Sequence, residues 1–288
     1  MPLKAGMLLN DRYKIIEVLG AGDFGTVYRA SYQRPASDGT GRPVQGNEVA
    51  IKEMPMPMIV DCERQADLRG ALDHPAIPRI YGYFAAGPYA YLVQELIPGC
   101  NLEAALARQD GFIPEKTVLG WAIQLCDTLH YLHNHPYHPI IFRDVKPNNI
   151  MVTPEERVYL VDFGLARAYP PRFFEEELPQ FAHLWRGLDM GTAGYSPPEQ
   201  YEGYVTPQSD LYALGATLHH LLTRRDPRTQ PPFTFEAVSM RSLNPHISAA
   251  LESIILKSLN RDLDKRFASA RQMQVALEEV LASHLSAS

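Results

Sequence analysis

Two polar clusters, each delivered by a short apolar strand, constrain this chain more than any other feature in it. The run Ile140–Phe142 leads into Arg143-Asp144-Val145-Lys146-Pro147-Asn148-Asn149, and Val158–Val161 leads into Asp162-Phe163-Gly164. Three oxygen-bearing side chains, Asp144, Asn149 and Asp162, thereby leave apolar surroundings within 19 positions. Oxygen donors of this kind suit Mg²⁺, a hard cation that takes a few protein oxygens together with phosphates and water. Asp144 is then the carboxylate left over, free to orient a hydroxyl or accept its proton. The plain alternative is a set of turn-forming Asp and Asn residues.

What precedes these clusters argues against that alternative. Gly20, Gly22 and Gly25 form GxGxxG between Tyr13–Leu19 and Thr26–Ser31, both β-rich. A dinucleotide-binding turn uses the same spacing but leads into a helix. Here the β-branched and aromatic run Thr26-Val27-Tyr28 favours a strand, which makes the turn a hairpin flap. Glycines in such a flap let backbone N–H groups approach phosphate oxygens. Lys52 ends the apolar strand Val49-Ala50-Ile51-Lys52. On its own it reads as a solvated edge charge; beside a phosphate cradle it becomes a phosphate ligand.

The first ninety-odd residues read as strands, with a Gly- and Pro-rich insertion at 33–47, one helix over 60–72 and a break at Ile97-Pro98-Gly99. Helices dominate afterwards. Val118, Trp121, Leu125, Leu129 and Leu132 recur at steps of three and four. Further amphipathic runs cover Ser209–Thr223, 249–259 and 269–283. With 45% hydrophobic and 21% charged residues, 288 positions can bury a substantial core. A net charge of −6 gives no global attraction for nucleic acid or an anionic membrane. No run approaches 18 apolar residues, so no membrane span is expected within this chain. Cys62, Cys100 and Cys126 are odd in number and far apart, which fits reduced thiols in a cytoplasmic protein, whole or part of a longer one.

With the glycine turn, VAIK and both clusters in order, the sequence resembles the protein kinase superfamily over about residues 10–285. It is most similar to bacterial serine/threonine kinases of the eukaryotic-like, Hanks type. The resemblance implies an α+β bilobal fold: an antiparallel β-sheet lobe with one helix, then a mainly helical lobe. It makes 1–288 a single kinase domain, with an N-lobe over 11–96, a C-lobe over 97–285 and an activation segment over 162–199. It implies ATP with Mg²⁺ (or Mn²⁺) and transfer of the γ-phosphoryl group to Ser or Thr of a protein substrate. Asp144, Lys146 and Lys52 become the catalytic set. Leu19, Gly20, Gly22, Gly25, Val27, Ala50, Lys52, Gln94, Glu95, Ile97 and Met151 become the nucleotide site, with Gln94 as gatekeeper and Glu95 to Ile97 as hinge. Asn149 and Asp162 hold metal. Thr192 lies in the peptide-docking segment 191–199. Glu199 pairs with Arg266, and Asp210 and Gly215 belong to a helix beneath the catalytic loop. Two other classes stay open: a pseudokinase scaffold without transfer, and a small-molecule kinase.

Three departures stand out. Phe142 replaces the histidine usual before Arg-Asp, and its ring is expected to stack on Phe163. The glutamate that should pair with Lys52 falls on Gln65. Glu63 is roughly 200° away around the helix, and Arg69 stands where an apolar contact is expected, so this helix is read as displaced, short or dynamic. Residues 165–190 contain no Ser or Thr, and Tyr169 is their only hydroxyl. Arg143, which in relatives binds a loop phosphate, is expected to meet carboxylates of Glu175–Glu177 or none. Activation independent of loop phosphorylation follows. His130, His133, His135 and His138 read as residues favoured by a helix C-terminus. Met54, Met56 and Met58 read as loop packing. Dimerisation through the N-lobe is a further route by which Lys52 could be anchored.

Overall fold

Period-two alternation organises the first ninety residues. In the computed structural model, which describes residues 3–22, 25–32, 47–136, 139–168 and 191–286, they form one antiparallel sheet. Its strands are β1 (Leu8–Leu9), β2 (Tyr13–Gly22), β3 (Gly25–Tyr32), β4 (Glu48–Pro55), β5 (Ile80–Ala86) and β6 (Tyr89–Glu95), in the order β1-β2-β3-β4-β6-β5. Successive side chains leave opposite faces. Val49 and Ile51 therefore join Tyr28, Ala30, Tyr91 and Val93 in one buried layer. Met54, Ala90 and Leu92 fill the other, packed on Cys62 of α1 (Ile59–Gly70). Burying each large side chain contributes about 1.5–3 kcal/mol, which fixes the register of β4, since a one-residue slip would exchange the two layers. Met54 is thus a core residue of a strand, not loop packing. Glu53 belongs to the first layer, and its carboxylate is satisfied by the hydroxyls of Tyr91 (2.9 Å) and Tyr28 (3.2 Å).

Residues Met1–Pro98 form one compact unit and Gly99–Ser288 another. The second opens with β7 (Cys100–Asn101) and α2 (Leu102–Arg108), whose first turn is capped by the Asn101 side chain accepting from the Ala104 N–H at 2.8 Å. Pro114 starts α3 (Glu115–His133), and Val118, Trp121, Leu125, Leu129 and Leu132 are all buried along it. Three short pieces of sheet follow: β8 (Ile140–Ile141) pairs with β11 (Arg167–Ala168), and β9 (Ile150–Val152) lies between β7 and β10 (Val158–Leu160). After α4 (Pro198–Tyr201) comes α5 (Pro207–Thr223), opened by a reciprocal Thr206–Ser209 capping box with Pro207 in the first turn. Every residue of α5 from Ser209 to Thr223 is buried. It is packed by α3, α6 (Met240–Leu243), α7 (Ala249–Ser258) and α8 (Ala270–Ser286). Among the described residues no helix is long and apolar enough to cross a membrane. Asp23 and Phe24, positions 33–46 of the insertion, His138, and residues 169–190 with Tyr169 and Glu175–Glu177 lie outside the described residues.

Candidate active site

In the first unit, the glycine turn joins strand to strand. Gly20 pairs with Val27 and Gly22 with Gly25 across the β2–β3 hairpin. Leu19, Gly20 and Gly22 are exposed at its end. Gly25 has φ +126°, and a Cβ there would lie 1.8 Å from the Glu53 carbonyl oxygen, so only glycine fits. Lys52 lies on the α1 side of β4, opposite Val27 and Leu92 and two residues from Ala50, itself opposite Gln94. Only 7% of Lys52 is exposed, and its charge reaches Cys62 of α1. Burial pushes that thiol up to about 11 against the opposing effect of the ammonium.

Gln65, not Glu63, faces inward from α1. Gln65 shares the buried face with Cys62 and Arg69, while Glu63 is exposed near Tyr83. The Gln65 Oε1 has no hydrogen-bond partner, a deficit of about 1–3 kcal/mol. Arg69 replaces the expected apolar contact with hydrogen bonds. It is buried, donating Nη1 to Gln94 Oε1 at 2.9 Å and Nη2 to the Pro78 carbonyl. The helix is therefore tied to the sheet through Gln94 of β6. Beyond it, the Glu95 N–H donates to the Arg79 carbonyl (2.8 Å), and Ile97 is buried.

In the second unit the two clusters meet. Asp144 follows β8 and is 6% exposed. Its Oδ2 accepts from Asn149 Nδ2 (2.7 Å) and lies 2.9 Å from Lys146 Nζ. Its Oδ1 accepts from the Thr192 hydroxyl (2.7 Å), whose oxygen accepts in turn from Lys146 Nζ (2.6 Å). The Val161 N–H donates to the Asn149 carbonyl (2.9 Å), which couples the first loop to the strand that delivers Asp162. Asp162 is half-buried with φ 61°, and Gly164 N–H donates to its Oδ1 at 3.3 Å. Phe142 and Phe163 are fully buried and meet edge to face, centroids 5.0 Å apart, so the expected ring contact is a T-shaped one. Met151 sits on β9, half-buried, opposite Asn101 and Tyr159.

A second layer holds this loop. Asp210 of α5 accepts the N–H groups of Phe142 (2.9 Å) and Arg143 (2.7 Å), and also His133 Nε2 (2.8 Å) from the end of α3. Arg143 is buried with φ 70°, and its carbonyl accepts from Gln200 Nε2 at 3.0 Å. Thr217 donates to the Val145 carbonyl at 3.1 Å. Glu199 takes Arg266 in a two-pronged pair (2.7 and 2.9 Å) and accepts from Ser209 at 2.8 Å. Gly215 lets α5 approach α7: a Cβ would stand 2.0 Å from Ser258 Oγ. Nothing in the sequence pattern singled out His133, Gln200, Ser209 or Thr217 for these roles. His133 stands on the apolar stripe of α3 directly after Leu132, the one local sign that it was not merely answering the helix dipole.

The donor set fits a divalent cation held jointly with phosphate. Both hydrogen bonds that Asn149 Nδ2 makes go to Asp144 (3.0 Å to the carbonyl, 2.7 Å to Oδ2), which leaves its oxygen turned the other way, as a ligand would need. Among the described residues no three His, Cys, Asp or Glu cluster as a metal cage. A hard cation bound here would draw its remaining oxygens from elsewhere, as phosphate-bound Mg²⁺ does.

Comparison with known proteins agrees with this arrangement. A family model described as the protein kinase domain matches residues 13–278. A probable serine/threonine-protein kinase of Streptomyces coelicolor is 32% identical, covering 95% of this chain and 40% of its own length. The serine/threonine-protein kinase PknB of Mycolicibacterium smegmatis is 31% identical, covering 94% of this chain and 43% of its own. The chain thus spans well under half the length of these relatives. Among solved structures, the kinase domain of Mycobacterium tuberculosis PknI shares the fold, with a TM-score of 0.69, 23% identity and coverage of 96% of this chain and 99% of that one.

Proposed function

The chain belongs to the protein kinase domain family, and from that premise we propose that Asp144 orients a Ser or Thr hydroxyl of a protein substrate to receive the γ-phosphoryl group of ATP. The observation that supports this most directly is Thr192. Its β-hydroxyl already donates to Asp144 Oδ1 at 2.7 Å with Lys146 Nζ 2.6 Å from the same oxygen, which is the environment an acceptor hydroxyl requires. Asp144 accepts the hydroxyl proton as the oxygen attacks the γ-phosphorus, and the bond from that phosphorus to the bridging oxygen breaks to release ADP. Lys146 places positive charge beside the oxygen and the transferred group. Asn149, bonded to Asp144 on one side, holds the carboxylate in place and turns its own oxygen outward.

In the first unit, the glycine turn and Lys52 are assigned to the phosphates, and Val27, Ala50, Gln94 and the 95–97 segment to the base. The family resemblance also gives Met151 to the base. A divalent metal, Mg²⁺ in this reading with Mn²⁺ also compatible, would be held by Asn149 and Asp162 and would neutralise phosphate charge. Reduced Cys62, Cys100 and Cys126 and the need for ATP support a cytoplasmic setting. The test is transfer of labelled phosphate from ATP to a basic protein substrate. Asp144→Asn should lower turnover about 10²–10⁴-fold while nucleotide binding persists. Equal turnover by the variant would refute the assignment.

A further inference from the structure

The strand that carries Lys52 also carries a buried carboxylate on its opposite face. Glu53 is 6% exposed. Side chains of a strand alternate between faces, so Glu53 leaves β4 on the side of Val49 and Ile51, away from Lys52. The layer it enters is built of hydrocarbon and rings. A carboxylate in such a layer costs free energy that a carbon side chain would not. Its bonds show what it does there.

Both carboxylate oxygens are engaged across the sheet, one on each neighbouring strand. Tyr91 of β6 stands directly opposite Glu53 in the ladder and donates to Oε2 at 2.9 Å. Tyr28 of β3 donates to Oε1 at 3.2 Å. The Tyr28 oxygen in turn accepts the Leu3 N–H at 3.1 Å, which leaves its single proton for Glu53. Burial, with Glu53 adding to it, raises both phenols above their ordinary range, so both stay protonated donors. Glu53 is therefore braced to β3 on one side and to β6 on the other.

The brace sits beside the glycine turn. Glu53 pairs with Thr26 in the β3–β4 ladder, one step nearer the turn than the Val27–Lys52 pair. Its carbonyl oxygen lies against Gly25, where a Cβ would come within 1.8 Å of it. Gly20 and Gly22 have nothing within 4 Å of the point where a side chain would start, so packing of side chains does not hold the hairpin end there. Its place over β4 is set by backbone pairing, and so by how firmly the Glu53 backbone is held.

We propose that Glu53 is a positioning residue for nucleotide: tied to Tyr28 and Tyr91, it fixes its own backbone against Gly25 and thereby the place of the glycine turn relative to Lys52. Glu53 touches no phosphate itself. The consequence for phosphate binding rests on the assignment of the turn and Lys52 to the phosphates; the hold on the turn does not.

An all-carbon layer separates this role from stability. Glu53→Met combined with Tyr28→Phe and Tyr91→Phe removes acceptor and donors together, a change that is nearly neutral or stabilising for folding, so the urea midpoint should not fall. Amide hydrogen exchange at residues 25–28 should nonetheless quicken, and Kd for MgATP measured by calorimetry should rise. A turn correctly placed about a tenth of the time raises Kd about tenfold. The effect belongs to binding, so KM for ATP should rise by that factor while kcat at saturating ATP stays near the wild-type value. Tyr91→Phe alone cuts the tie to β6 and leaves Glu53 the Tyr28 hydroxyl. It should move exchange and Kd in the same direction by less, and it decides the matter if the triple variant does not fold. Unchanged exchange at 25–28 in the folded variant, an unchanged Kd, or a fall in kcat at constant KM would each overturn the proposal. A wild-type chain that binds no MgATP would sink the kinase reading, and the hold of Glu53 on the turn would then stand or fall on exchange alone.

Discussion

Replacing Asp210 with Asn removes one oxygen from a buried carboxylate that three donors share. Oδ2 takes His133 Nε2 (2.8 Å) and the Phe142 N–H (2.9 Å), and Oδ1 takes the Arg143 N–H (2.7 Å). An Asn amide must turn its NH₂ to one side. Turned toward the Oδ2 partners it orphans two donors; turned toward Arg143 it orphans one, and that arrangement wins. A buried donor without an acceptor costs about 1–3 kcal/mol. The two surviving bonds lose their charge assistance, roughly half their strength. Together these predict destabilisation of about 2–4 kcal/mol. The freed group is the one that matters for chemistry. Arg143 holds φ 70°, a conformation costing about 1–3 kcal/mol and kept only under constraint. Once released, it should relax and carry Asp144 with it, and an ångström of misplacement lowers turnover about 10²-fold. Urea unfolding followed by circular dichroism should show a lower midpoint at unchanged slope, and peptide phosphotransfer should fall by that factor. Asp210→Ala, which orphans all three donors, should unfold at still lower urea. Stability of Asp210→Asn within about 0.5 kcal/mol of wild type, with turnover intact, would show that the loop does not depend on this carboxylate.

Arg266→Met should destabilise by about 3–5 kcal/mol, because it strands the buried carboxylate of Glu199. Adding Glu199→Gln should recover part of the loss, and a double-mutant cycle in thermal melts with no coupling would refute this. Gly25→Ala should abolish nucleotide binding measured by calorimetry, since its Cβ would overlap the Glu53 carbonyl, whereas Gly22→Ala meets nothing within 4 Å and should retain it. His219 binds its proton at about 4 when folded against 6.5 ordinarily, so between those values the unfolded chain holds a proton that the folded chain lacks. Its contribution is complete above pH 6.5 and fades as pH falls toward 4, about 3 kcal/mol in all. Urea unfolding at pH 7, 6, 5 and 4.5 should give a flatter acid limb for His219→Gln, and an identical limb would contradict the assignment.

Features carried by a few adjacent residues were readable from the sequence. Thr26-Val27-Tyr28 after the glycines demanded a strand, and β3 is there. Val49-Ala50-Ile51-Lys52 read as an apolar strand ended by Lys52, and β4 is there, though it runs on to Pro55. What escaped depends on contacts between distant positions. His133 reaches Asp210 across 77 positions, and nothing near His133 announces that partner; grouped with its neighbouring histidines it looked like a charge at a helix end. Arg69 looked like a misfit because the sequence shows a cation where carbon was expected. The structure supplies the acceptors, Gln94 Oε1 and the Pro78 carbonyl, that make it a clamp. The short helix α2 had a legible sign in its cap, Asn101, but seven residues are too few for periodicity to speak. Helix ends shifted where a proline set the first turn: α5 begins at Pro207, two residues before its apolar run.

The helix α5 shows why polar residues persist in so deep a core. A helix buried on every side would be most stable if wholly apolar, since each buried polar group costs free energy unless paired. Yet α5 carries Ser209, Asp210, Thr217, His219, His220 and Thr223 within its buried stretch. Four of these spend their bonding capacity on chain segments outside the helix. Ser209 goes to Glu199, Asp210 to the N–H groups at 142 and 143, Thr217 to the Val145 carbonyl, and His220 Nδ1 to the Tyr195 hydroxyl at 2.7 Å. The backbone groups they satisfy at 142, 143 and 145 flank Asp144, in a loop too irregular to satisfy them itself. Burial in turn makes these bonds exacting, because in a dry interior an unmade bond costs more than a made one contributes. The loop can therefore hold an unfavourable φ at Arg143 and still present Asp144 in one position. His219 and Thr223, on the same helix, bond to each other instead, and neither reaches the loop. The support of Asp144 therefore falls to the N-terminal and middle turns of α5, from Ser209 to Thr217, whose polar groups bond outward to Glu199 and to the backbone at 142, 143 and 145.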